Sequence, residues 1–585
     1  MRTSALQYLY LQKPVSTVIL LCLISVLPWT AANRFSTKGE PREAAVAVSM
    51  LKTGDWSLPK VYANEFAYKP PMMHWMMAVF SLPNGHVTEF TSRLPSALAY
   101  MAMLTCVLLF FGRRVRFQEA FITTLLLLTC VEIHRAGITA RVDMLLTAFI
   151  VTGLLQMYRW EDKQEIRGLP LQIPILLSGA ILTKGPVGLV LPLLVFGIYL
   201  LVLRKYSYSR IIKSLAYVAI SSVLVPSVWY IEAWQRGGND FLNVALAENF
   251  GRFFHLESSD IHYQLGHENG AWYNLLTLAA GFVPWTLLLF ISLFGLKISR
   301  PSGPLKQWMS KCRHGILSMD KVRLFSLVAA AGIVFFYCLP SSKRSVYLMP
   351  AYPFIALFIS QYILHFVERR SGVMRAFACV MATVTACVLV LAALHQTGLM
   401  DIYGLVAPRF SKESVLETIR AVSLALSPSA VTLSVLALML AALITLCYQM
   451  MKKNNIKMLY STIFLMFTVN LFIDGVIMRT IHREGSSRPF AKEIRRDFPL
   501  DDTNVYVVNN LLRYPNLYGM NFYMGNCFHD LAVEKPQSGY FLASEKDFPA
   551  IAGEYADAYT FEKLRVSDFI PEIKSRIVLT RLQAK

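Results

Sequence analysis

The sequence is dominated by apolar stretches that are long enough to cross a lipid bilayer. A helix needs about 20 mostly apolar residues to span the roughly 30 Å of hydrocarbon in a membrane. Stretches that meet this length, or come close to it, lie at 15–33, 95–112, 118–134, 139–158, 170–183, 186–203, 214–233, 271–296, 324–340, 346–366, 374–395, 429–450 and 457–478. We therefore predict a polytopic α-helical membrane protein with about thirteen transmembrane helices. A soluble enzyme and a disordered scaffold are excluded, because 55% of the residues are hydrophobic and only 16% are charged.

The net charge of +20 follows from the predicted topology. On a soluble protein such a charge would suggest a nucleic-acid partner. Here, a cytoplasmic N-terminus places the Lys and Arg residues of six loops on the cytoplasmic side, as the positive-inside rule requires. These loops lie at 113–116, 159–167, 204–213, 297–323, 369–375 and 452–457. The charge thus orients the spans, and we predict no nucleic-acid partner.

Three segments are predicted on the outer side of the membrane. We interpret the first apolar run as an uncleaved anchor, so the first outer loop covers 34–94 and the second covers 234–270. The third segment is the tail, 480–585, in which β-like runs at 504–508, 539–543 and 576–580 alternate with turn residues. We predict a transmembrane catalytic domain at 1–479 and a small extracytoplasmic α/β domain at 480–585.

The first outer loop contains two motifs with candidate functional residues. Gly39-Glu40-Pro41-Arg42-Glu43 opens a predicted helix along the membrane interface and holds Glu40 at the water edge; the alternative is that Glu40 is only a favourable first-turn acid. Lys69 precedes two prolines, which stiffen the chain and suit a clamp for a phosphate at headgroup height. The alternative for Lys69 is an interfacial lysine that only reaches for water.

Further charged residues lie at predicted outer ends of the spans. Asp143 follows Arg141 at the start of the fourth span, where an ionisable residue indicates function. The alternative is a structural ion pair of Asp143 with Arg141 or Arg135. Additional outward residues run against the positive-inside trend and suit an anionic lipid headgroup: Lys184, Lys343 and Arg344, with the phenol of Tyr347 beside them.

The region 248–273 is rich in histidine and carboxylate residues. Their spacing resembles no zinc or calcium motif. We therefore favour a gating or substrate-lining loop and predict no metal site, while a divalent metal stays open as an alternative.

The order of these motifs resembles a known family. Gly39-Glu40-Pro41-Arg42, Gly54-Asp55-Trp56, Tyr68-Lys69-Pro70-Pro71, Arg93-Leu94-Pro95-Ser96, Arg141-Val142-Asp143, Leu182-Thr183-Lys184-Gly185-Pro186, Phe282-Val283-Pro284-Trp285 and Tyr347-Leu348-Met349-Pro350 are similar to motifs of the bacterial aminoarabinose transferases. These enzymes belong with the protein O-mannosyltransferases in the GT-C superfamily. The resemblance covers roughly 34–353 and implies a GT-C fold.

The resemblance also implies an activity. It is the inverting transfer of a sugar from a polyprenyl phosphate to an envelope acceptor at the outer, periplasmic face of the bacterial inner membrane. The acceptor stays open between a lipid A-like glycolipid, a protein and another glycan. Two other classes stay open as alternatives: a secondary transporter or lipid flippase, which would favour inverted repeats, and a structural platform for envelope assembly.

The resemblance implies roles for individual residues. Lys69 and Tyr347 match residues that hold the donor phosphate, and Lys184, Lys343 and Arg344 are our additional candidates. Asp143 matches an acid near the donor sugar and, with Glu40, is a candidate catalytic carboxylate. The predicted site-lining residues are Arg42, Tyr68, Arg141 and His267, of which His267 matches a family histidine.

The chain departs from the family at two positions in the first loop. Gly39 stands where the family usually has the key aspartate, which puts the assignment of the base to Glu40 in question. Tyr68 stands where the family commonly has a glutamate before Lys-Pro-Pro. This second change removes an expected acidic contact.

Overall fold

The structure, a computed structural model, describes residues 13–62, 65–67, 69–165, 168–247, 269–270, 272–295, 310, 314–316, 318–340, 342–510 and 513–585. The first half of the described chain forms helices with one short hairpin. In chain order these elements are α1 (Pro14–Ala32), α2 (Gly39–Thr53), β1 (Lys60–Val61), β2 (Glu65–Phe66), α3 (Met72–Ser81), α4 (Glu89–Phe111), α5 (Phe117–Thr129), α6 (Val131–Gly137), α7 (Val142–Trp160), α8 (Gln172–Lys184), α9 (Val187–Leu203) and α10 (Tyr208–Leu246).

The second half continues the helical bundle and then forms a sheet. Its helices up to the sheet are α11 (Tyr273–Gly281), α12 (Trp285–Gly295), α13 (Lys321–Cys338), α14 (Tyr352–Arg369), α15 (Ser371–Gln396), α16 (Ile402–Val406), α17 (Glu413–Ala425), α18 (Ala430–Met451), α19 (Asn455–Phe472), α20 (Arg479–Glu484) and α21 (Arg488–Asp497). A 3-10 helix (Ser345–Ala351) precedes α14, and a π-helical stretch (Ile473–Met478) joins α19 to α20.

The helical bundle has the dimensions of a multi-pass membrane protein. Within the described ranges, nine helices are long and apolar enough to cross a membrane, or up to eleven if two bent pairs each count as one span. The shorter apolar helices α8 and α9 occupy the positions of the fifth and sixth predicted spans. The predicted class, a polytopic α-helical membrane protein, is confirmed.

The two bent pairs support each other where their helices break. Helices α5 and α6 meet at 67°, and α11 and α12 meet at 103°. At the junction the Val131 amide donates a hydrogen bond of 3.2 Å to the Val283 carbonyl, and the Trp285 indole donates one of 3.0 Å to the Thr129 hydroxyl. Polar groups inside a bilayer must find partners within the protein. Each break therefore supplies hydrogen-bonding partners for the other.

Helix α2 forms as predicted in the first loop. Pro41 fits its first turn, and Gly54 ends it with the left-handed backbone (φ 74°) that glycine tolerates best. Ala44, Ala45 and Ala47 are buried, so small side chains let neighbouring elements approach closely. Helix α2 packs against α3 and against the helix Tyr518–Tyr523 of the C-terminal segment.

The C-terminal segment forms a five-stranded mixed sheet with short helices. After α21 its elements are β3 (Val505–Val507), α22 (Tyr518–Tyr523), β4 (Phe528–Asp530), α23 (Leu531–Glu534), β5 (Ser538–Ser544), α24 (Phe548–Glu554), β6 (Tyr559–Val566) and β7 (Ile577–Ala584). The strand order is β4-β3-β5-β7-β6, with β3 parallel to β4 and β5, and β7 antiparallel to β5 and β6. The small α/β fold predicted for the tail is confirmed, while its boundary at residue 480 stays a prediction.

The sheet segment is attached to the first loop by hydrogen bonds. The Leu517 amide donates to the Tyr62 hydroxyl at 3.0 Å, and the Tyr62 amide donates to the Asn526 side chain at 3.1 Å. The Phe35 amide donates to the Tyr523 hydroxyl, also at 3.0 Å. We call the end of the bundle that carries α2 and this sheet the sheet side.

Candidate functional site

A cavity of about 390 Å³ opens on the sheet side of the bundle. Its size is in the range of small-molecule pockets. It is lined by Val346 and by four groups of residues: Asn33 to Glu40 around the start of α2, Arg93 on α4, residues between Val131 and Met144, and residues between Asn470 and His482. Three predicted site residues are in this wall: Glu40, Arg141 and Asp143.

Asp143 connects several of the predicted residues. It lies in the first turn of α7, and one carboxylate oxygen accepts a hydrogen bond of 2.6 Å from the Lys184 ammonium. Its other oxygen lies 3.5 Å from Nε of Arg141. The Lys184 ammonium also lies 4.3 Å from the centre of the Tyr347 ring, which is within the range of a cation–π interaction. The structure therefore brings Asp143, Arg141, Lys184 and Tyr347 together.

Lys69 lies in a second charge cluster beside the first. Its ammonium is paired with the Glu43 carboxylate of α2, which also accepts a hydrogen bond of 3.2 Å from Arg42. The other Glu43 oxygen is 2.9 Å from Nε2 of His74 on α3. The positive charge of Arg141 is near enough to lower the pKa of Lys69, so the two clusters lie side by side.

The environment of Lys69 weakens its hold on the proton. Burial lowers the pKa of the Lys69 ammonium from 10.5 to about 8. The Glu43 carboxylate acts in the opposite direction, and the positive charges of Arg42 and Arg141 lower the pKa further. Glu43 itself stays ionised, because Lys69 and its other partners outweigh burial and hold its carboxyl pKa well below the usual value.

Glu40 forms a buried ion pair on the cavity wall. Its two oxygens accept hydrogen bonds of 2.7 and 3.1 Å from the Arg93 guanidinium, and the Ala140 amide donates a third at 2.9 Å. Burial alone would raise the pKa of this carboxyl, but Arg93 outweighs it and leaves the pKa below its usual value. The Arg93 side chain, only 1% exposed, also donates to the carbonyls of Thr30 and Asn33. Because Glu40 accepts three hydrogen bonds of 2.7, 2.9 and 3.1 Å, whereas the second Asp143 oxygen has its partner only at 3.5 Å, Glu40 is the less well placed of the two carboxylates to accept a further proton.

The remaining predicted residues lie in different surroundings. The Lys343 ammonium donates a hydrogen bond of 3.3 Å to the Asn269 carbonyl, and the Asn269 amide group donates one of 3.0 Å to the Lys343 carbonyl. Arg344, just before the 3-10 helix that carries Tyr347, is partly exposed, and its guanidinium has no ion pair among the residues that the structure describes. Tyr68 and His267 lie outside the described residues.

Sequence reasoning did not assign two residues that are central to the site. Glu43 lies one helical turn after Glu40 and therefore near the same face of α2, a signal that helical spacing provides. His74 follows Lys69 by five residues, and nothing in its sequence context indicates that it contacts a carboxylate. A pair of residues that was also not assigned, His134 and Asp474, joins α6 to the π-helical stretch, with 2.6 Å between Nε2 of His134 and a carboxylate oxygen of Asp474. Both lie in the cavity wall.

Possible metal ligands are a separate question from the charge clusters. Among the residues that the structure describes, no group of three or more His, Cys, Asp and Glu residues is arranged to hold a metal ion. The predicted histidine- and acid-rich loop lies mostly at 248–268, outside the described residues.

Comparison of sequences finds relatives among lipid-linked sugar transferases. A family model described as dolichyl-phosphate-mannose-protein mannosyltransferase matches residues 68–230. An uncharacterised protein of Aquifex aeolicus is 28% identical over 54% of this chain and 57% of its own length. The undecaprenyl phosphate-alpha-4-amino-4-deoxy-L-arabinose arabinosyl transferase of Shewanella sediminis is 23% identical over 57% of this chain and 56% of its own length. The match thus spans less than two thirds of each of these relatives.

Comparison of structures extends over the whole chain. The crystal structure of ArnT from Cupriavidus metallidurans bound to undecaprenyl phosphate aligns with 98% of this chain and 98% of its own, at a TM-score of 0.69 and 18% sequence identity. At this identity the likeness concerns the fold, including the small sheet after the last spans. The predicted GT-C fold is confirmed, and the chain resembles the aminoarabinose transferases in both sequence and architecture.

Proposed function

We propose that this chain is an inverting glycosyltransferase that moves a sugar from a polyprenyl phosphate to an acceptor of the bacterial envelope. The observation that carries the proposal is the group of charges formed by Lys69, Arg141, Asp143 and Lys184, with the Tyr347 ring against Lys184. This group lies beside the cavity at the edge of the helical bundle. Several sequence relatives are named as undecaprenyl phosphate-alpha-4-amino-4-deoxy-L-arabinose arabinosyl transferases. Their names give a sugar on undecaprenyl phosphate as the donor, which supports a polyprenyl-phosphate sugar as the donor of this chain.

The proposed reaction needs positive charge more than it needs a strong acid. Transfer breaks the bond between the anomeric carbon and a phosphate oxygen, and the leaving phosphate gains negative charge as the bond breaks. Cations fixed beside that phosphate stabilise the transition state. Lys69 and Lys184 are placed for this role, with Arg141 next to them, while the phenol of Tyr347 is a further donor. Lys343 and Arg344 stay candidates for the same phosphate.

A carboxylate is needed on the acceptor side. We propose that Asp143 orients the attacking hydroxyl and takes up its proton, since it lies in the cavity wall next to the donor-phosphate cations. Inversion follows if the acceptor attacks the anomeric carbon on the side opposite the phosphate. Glu40 is the second proposed carboxylate, and its engagement by Arg93 favours a role in shaping the cavity. Arg42, Tyr68 and His267 stay proposed site-lining residues.

We propose that the sheet side faces the periplasm and that the membrane is the bacterial inner membrane. The opposite end of the bundle carries a network in which Lys205 and Lys321 pair with Glu161 and Asp162. Cationic loops at that end agree with a cytoplasmic location. The site would then meet lipid-linked donors and envelope acceptors on the periplasmic side.

The proposal is tested by transfer from polyprenyl-phosphate sugars to lipid A and to envelope proteins with the purified full chain in lipid nanodiscs. We expect transfer by the unchanged protein and its loss in both Lys69→Ala and Asp143→Asn. Unchanged transfer in both variants would overturn the site assignment. Mass spectrometry of lipid A and envelope glycoproteins from cells with and without the gene would identify the acceptor.

A secondary transporter or flippase is the alternative function. The bent helix pairs fit that class in outline, but one backbone hydrogen bond and one side-chain hydrogen bond join the two breaks to each other. Liposomes that contain a fluorescent polyprenyl phosphate and no acceptor separate the two functions. A flippase would move the lipid between leaflets under these conditions, and a transferase would not.

A further inference from the structure

Glu43 holds the centre of a buried charge cluster for which sequence motifs gave no role. One carboxylate oxygen pairs with the Lys69 ammonium and with Arg42, and the other faces Nε2 of His74 at 2.9 Å. The Glu43 side chain is 4% exposed and the His74 side chain 1%. A buried charge is costly unless it is paired and hydrogen-bonded, and here the Glu43 carboxylate is paired with Lys69, Arg42 and His74.

We propose that Glu43 is the positioning residue of the donor-phosphate site: its carboxylate fixes the Lys69 ammonium beside Arg141 and keeps it charged, while His74 fixes the carboxylate. This inference rests on the proposed function, because it assigns Lys69 to the donor phosphate. It adds a residue that acts through Lys69 rather than on the sugar.

The geometry explains why Lys69 needs such a partner. The prolines after Lys69 stiffen its backbone, but its four-carbon side chain stays flexible, and an ammonium is a point charge without preferred orientation. The Glu43 carboxylate on α2, which is hydrogen-bonded to His74 on α3, restricts the position of the Lys69 ammonium. Helix α2 is itself held between α3 and α22, so the anchor belongs to a packed part of the structure.

The charges around Lys69 favour a bound anion. Arg42 and Glu43 face it from α2, His74 approaches Glu43 from α3, and Arg141 and Asp143 face it from the start of α7. The Tyr518 ring of α22 lies 5.9 Å from the Arg42 guanidinium. Counting Lys184 with these groups, the four cations exceed the two carboxylates by two charges. This excess matches the polyprenyl phosphate that transfer leaves behind, because that phosphate is a monoester with nearly two negative charges at neutral pH.

Removal of the Glu43 charge has a specific expected consequence. Burial already lowers the pKa of Lys69 to about 8, and Glu43 is the main group that opposes this effect. Glu43→Gln should lower the pKa further. Lys69 would then lose its proton, and the site its affinity for phosphate, at a lower pH than in the unchanged protein.

The experiment measures binding of a polyprenyl phosphate to the full chain in nanodiscs between pH 6 and pH 9. In the unchanged protein we expect affinity to fall as the pH rises through about 8. In Glu43→Gln the fall should move to lower pH, and a loss of about one unit in the Lys69 pKa should weaken binding about fivefold at pH 8. In the double variant Glu43→Gln, Lys69→Arg, the affinity should no longer fall as the pH rises, since arginine stays charged throughout this range.

Controls separate positioning from loss of structure. Glu43→Asp keeps the negative charge, so its affinity for polyprenyl phosphate should fall at a pH closer to that of the unchanged protein. Glu484→Gln removes an exposed carboxylate that pairs with its neighbour Arg483 at 2.9 Å, and it should change nothing. If Glu43→Gln binds as tightly as the unchanged protein at every pH, the proposed role is wrong; if it weakens binding equally at every pH, Glu43 places Lys69 but does not keep it charged, and that part of the proposal is wrong. If the unchanged protein and Lys69→Ala bind the polyprenyl phosphate equally, the donor-site assignment itself fails.

Discussion

The Lys184 ammonium lies 4.3 Å from the centre of the Tyr347 ring, although the two residues are far apart in the chain. If Tyr347 binds the donor phosphate as proposed, it would act on it in two ways, through its own hydroxyl and through the Lys184 ammonium that its ring contacts. We expect Tyr347→Phe, which keeps the ring, to weaken polyprenyl phosphate binding about tenfold, the scale of one hydrogen bond. Tyr347→Ala should weaken it further, because the cation–π contact is also lost.

The matched control for this pair is Tyr337→Phe, which alters a neighbouring ring 5.4 Å from Tyr347. Its binding should stay close to that of the unchanged protein. Equal losses in Tyr347→Phe and Tyr347→Ala would show that the ring does not contribute through Lys184.

Asp143→Asn should separate binding from transfer. Removing one negative charge beside Lys184 and Arg141 leaves more uncompensated positive charge, so affinity for the donor phosphate should hold or increase. Transfer should fall by about 10²- to 10⁴-fold if the carboxylate takes up the acceptor proton. Single-turnover transfer with saturating donor measures the second quantity, and equilibrium binding measures the first. A parallel loss of both would indicate that Asp143 only maintains the structure.

The Glu40–Arg93 pair should contribute mainly to stability. Breaking a buried ion pair costs about 3–5 kcal/mol because the remaining charge is left unpaired. We expect Glu40→Gln and Arg93→Ala to lower the thermal unfolding temperature of the purified protein clearly, and Arg93→Lys to rescue little, since lysine lacks the two-pronged geometry of the guanidinium. Normal stability of Glu40→Gln combined with lost transfer would instead assign the chemistry to Glu40.

Gly39→Asp tests the position where the family usually has an aspartate. A Cβ atom at Gly39 would lie 3.6 Å from the Arg141 guanidinium, an ordinary contact distance, so the variant should fold. Its carboxylate would compete with Asp143 for Arg141 and reduce the positive charge near the phosphate. We expect weaker donor binding than in Gly39→Asn, which has a similar size and no charge. Similar binding by both variants would mean that the charge at position 39 does not reach the phosphate.

Glu572 should make the stability of the sheet segment depend on pH. Burial raises the pKa of this carboxyl from 4.5 to about 7. The Gly519 amide donates a hydrogen bond of 3.2 Å to the carboxylate and lowers the pKa, but burial has the larger effect. Because the pKa of Glu572 is higher in the folded protein than in the unfolded one, the protonated carboxyl favours folding. This contribution to the free energy of unfolding is complete below about pH 4.5 and is lost as the pH rises through about 7. Glu572→Gln should therefore raise the unfolding temperature relative to the unchanged protein at pH 8 and make little difference at pH 5. An unfolding-temperature difference that stays constant with pH would contradict this.

Much of the architecture could be predicted from the sequence because it follows from hydrophobic length and local pattern. The apolar windows located the spans, and alternation of apolar residues located β3, β5 and β7 in the sheet. Strand β6 was missed because it is an edge strand whose side chains are mostly exposed, with charged residues such as Glu562 and Arg565 in it. Strand β4 has only three residues and gives too little pattern.

The site was only partly predictable, since motifs reveal residue types and not their partners. The grouping of Asp143, Arg141 and Lys184 has some basis in sequence, as these residues begin or end helices at the same predicted face. The acidic contact of Lys69 could not be predicted, because Tyr68 occupies the position where the family commonly has a glutamate. In the structure the carboxylate comes from Glu43, 26 positions before Lys69 in the chain. Whether a carboxylate from a different part of the chain reaches Lys69 depends on how the helices pack, and local sequence patterns do not encode this.

The attachment of the sheet to the first loop has a consequence for protein engineering. Chimeras that exchange C-terminal segments between relatives would usually be joined just after the last span. Here Tyr62, in the turn between β1 and β2, bonds to both Leu517 and Asn526, and α2 packs against α22. A transplanted sheet would therefore need its own hairpin and the facing surface of α2 to dock. The smallest exchangeable module of this protein is discontinuous in sequence.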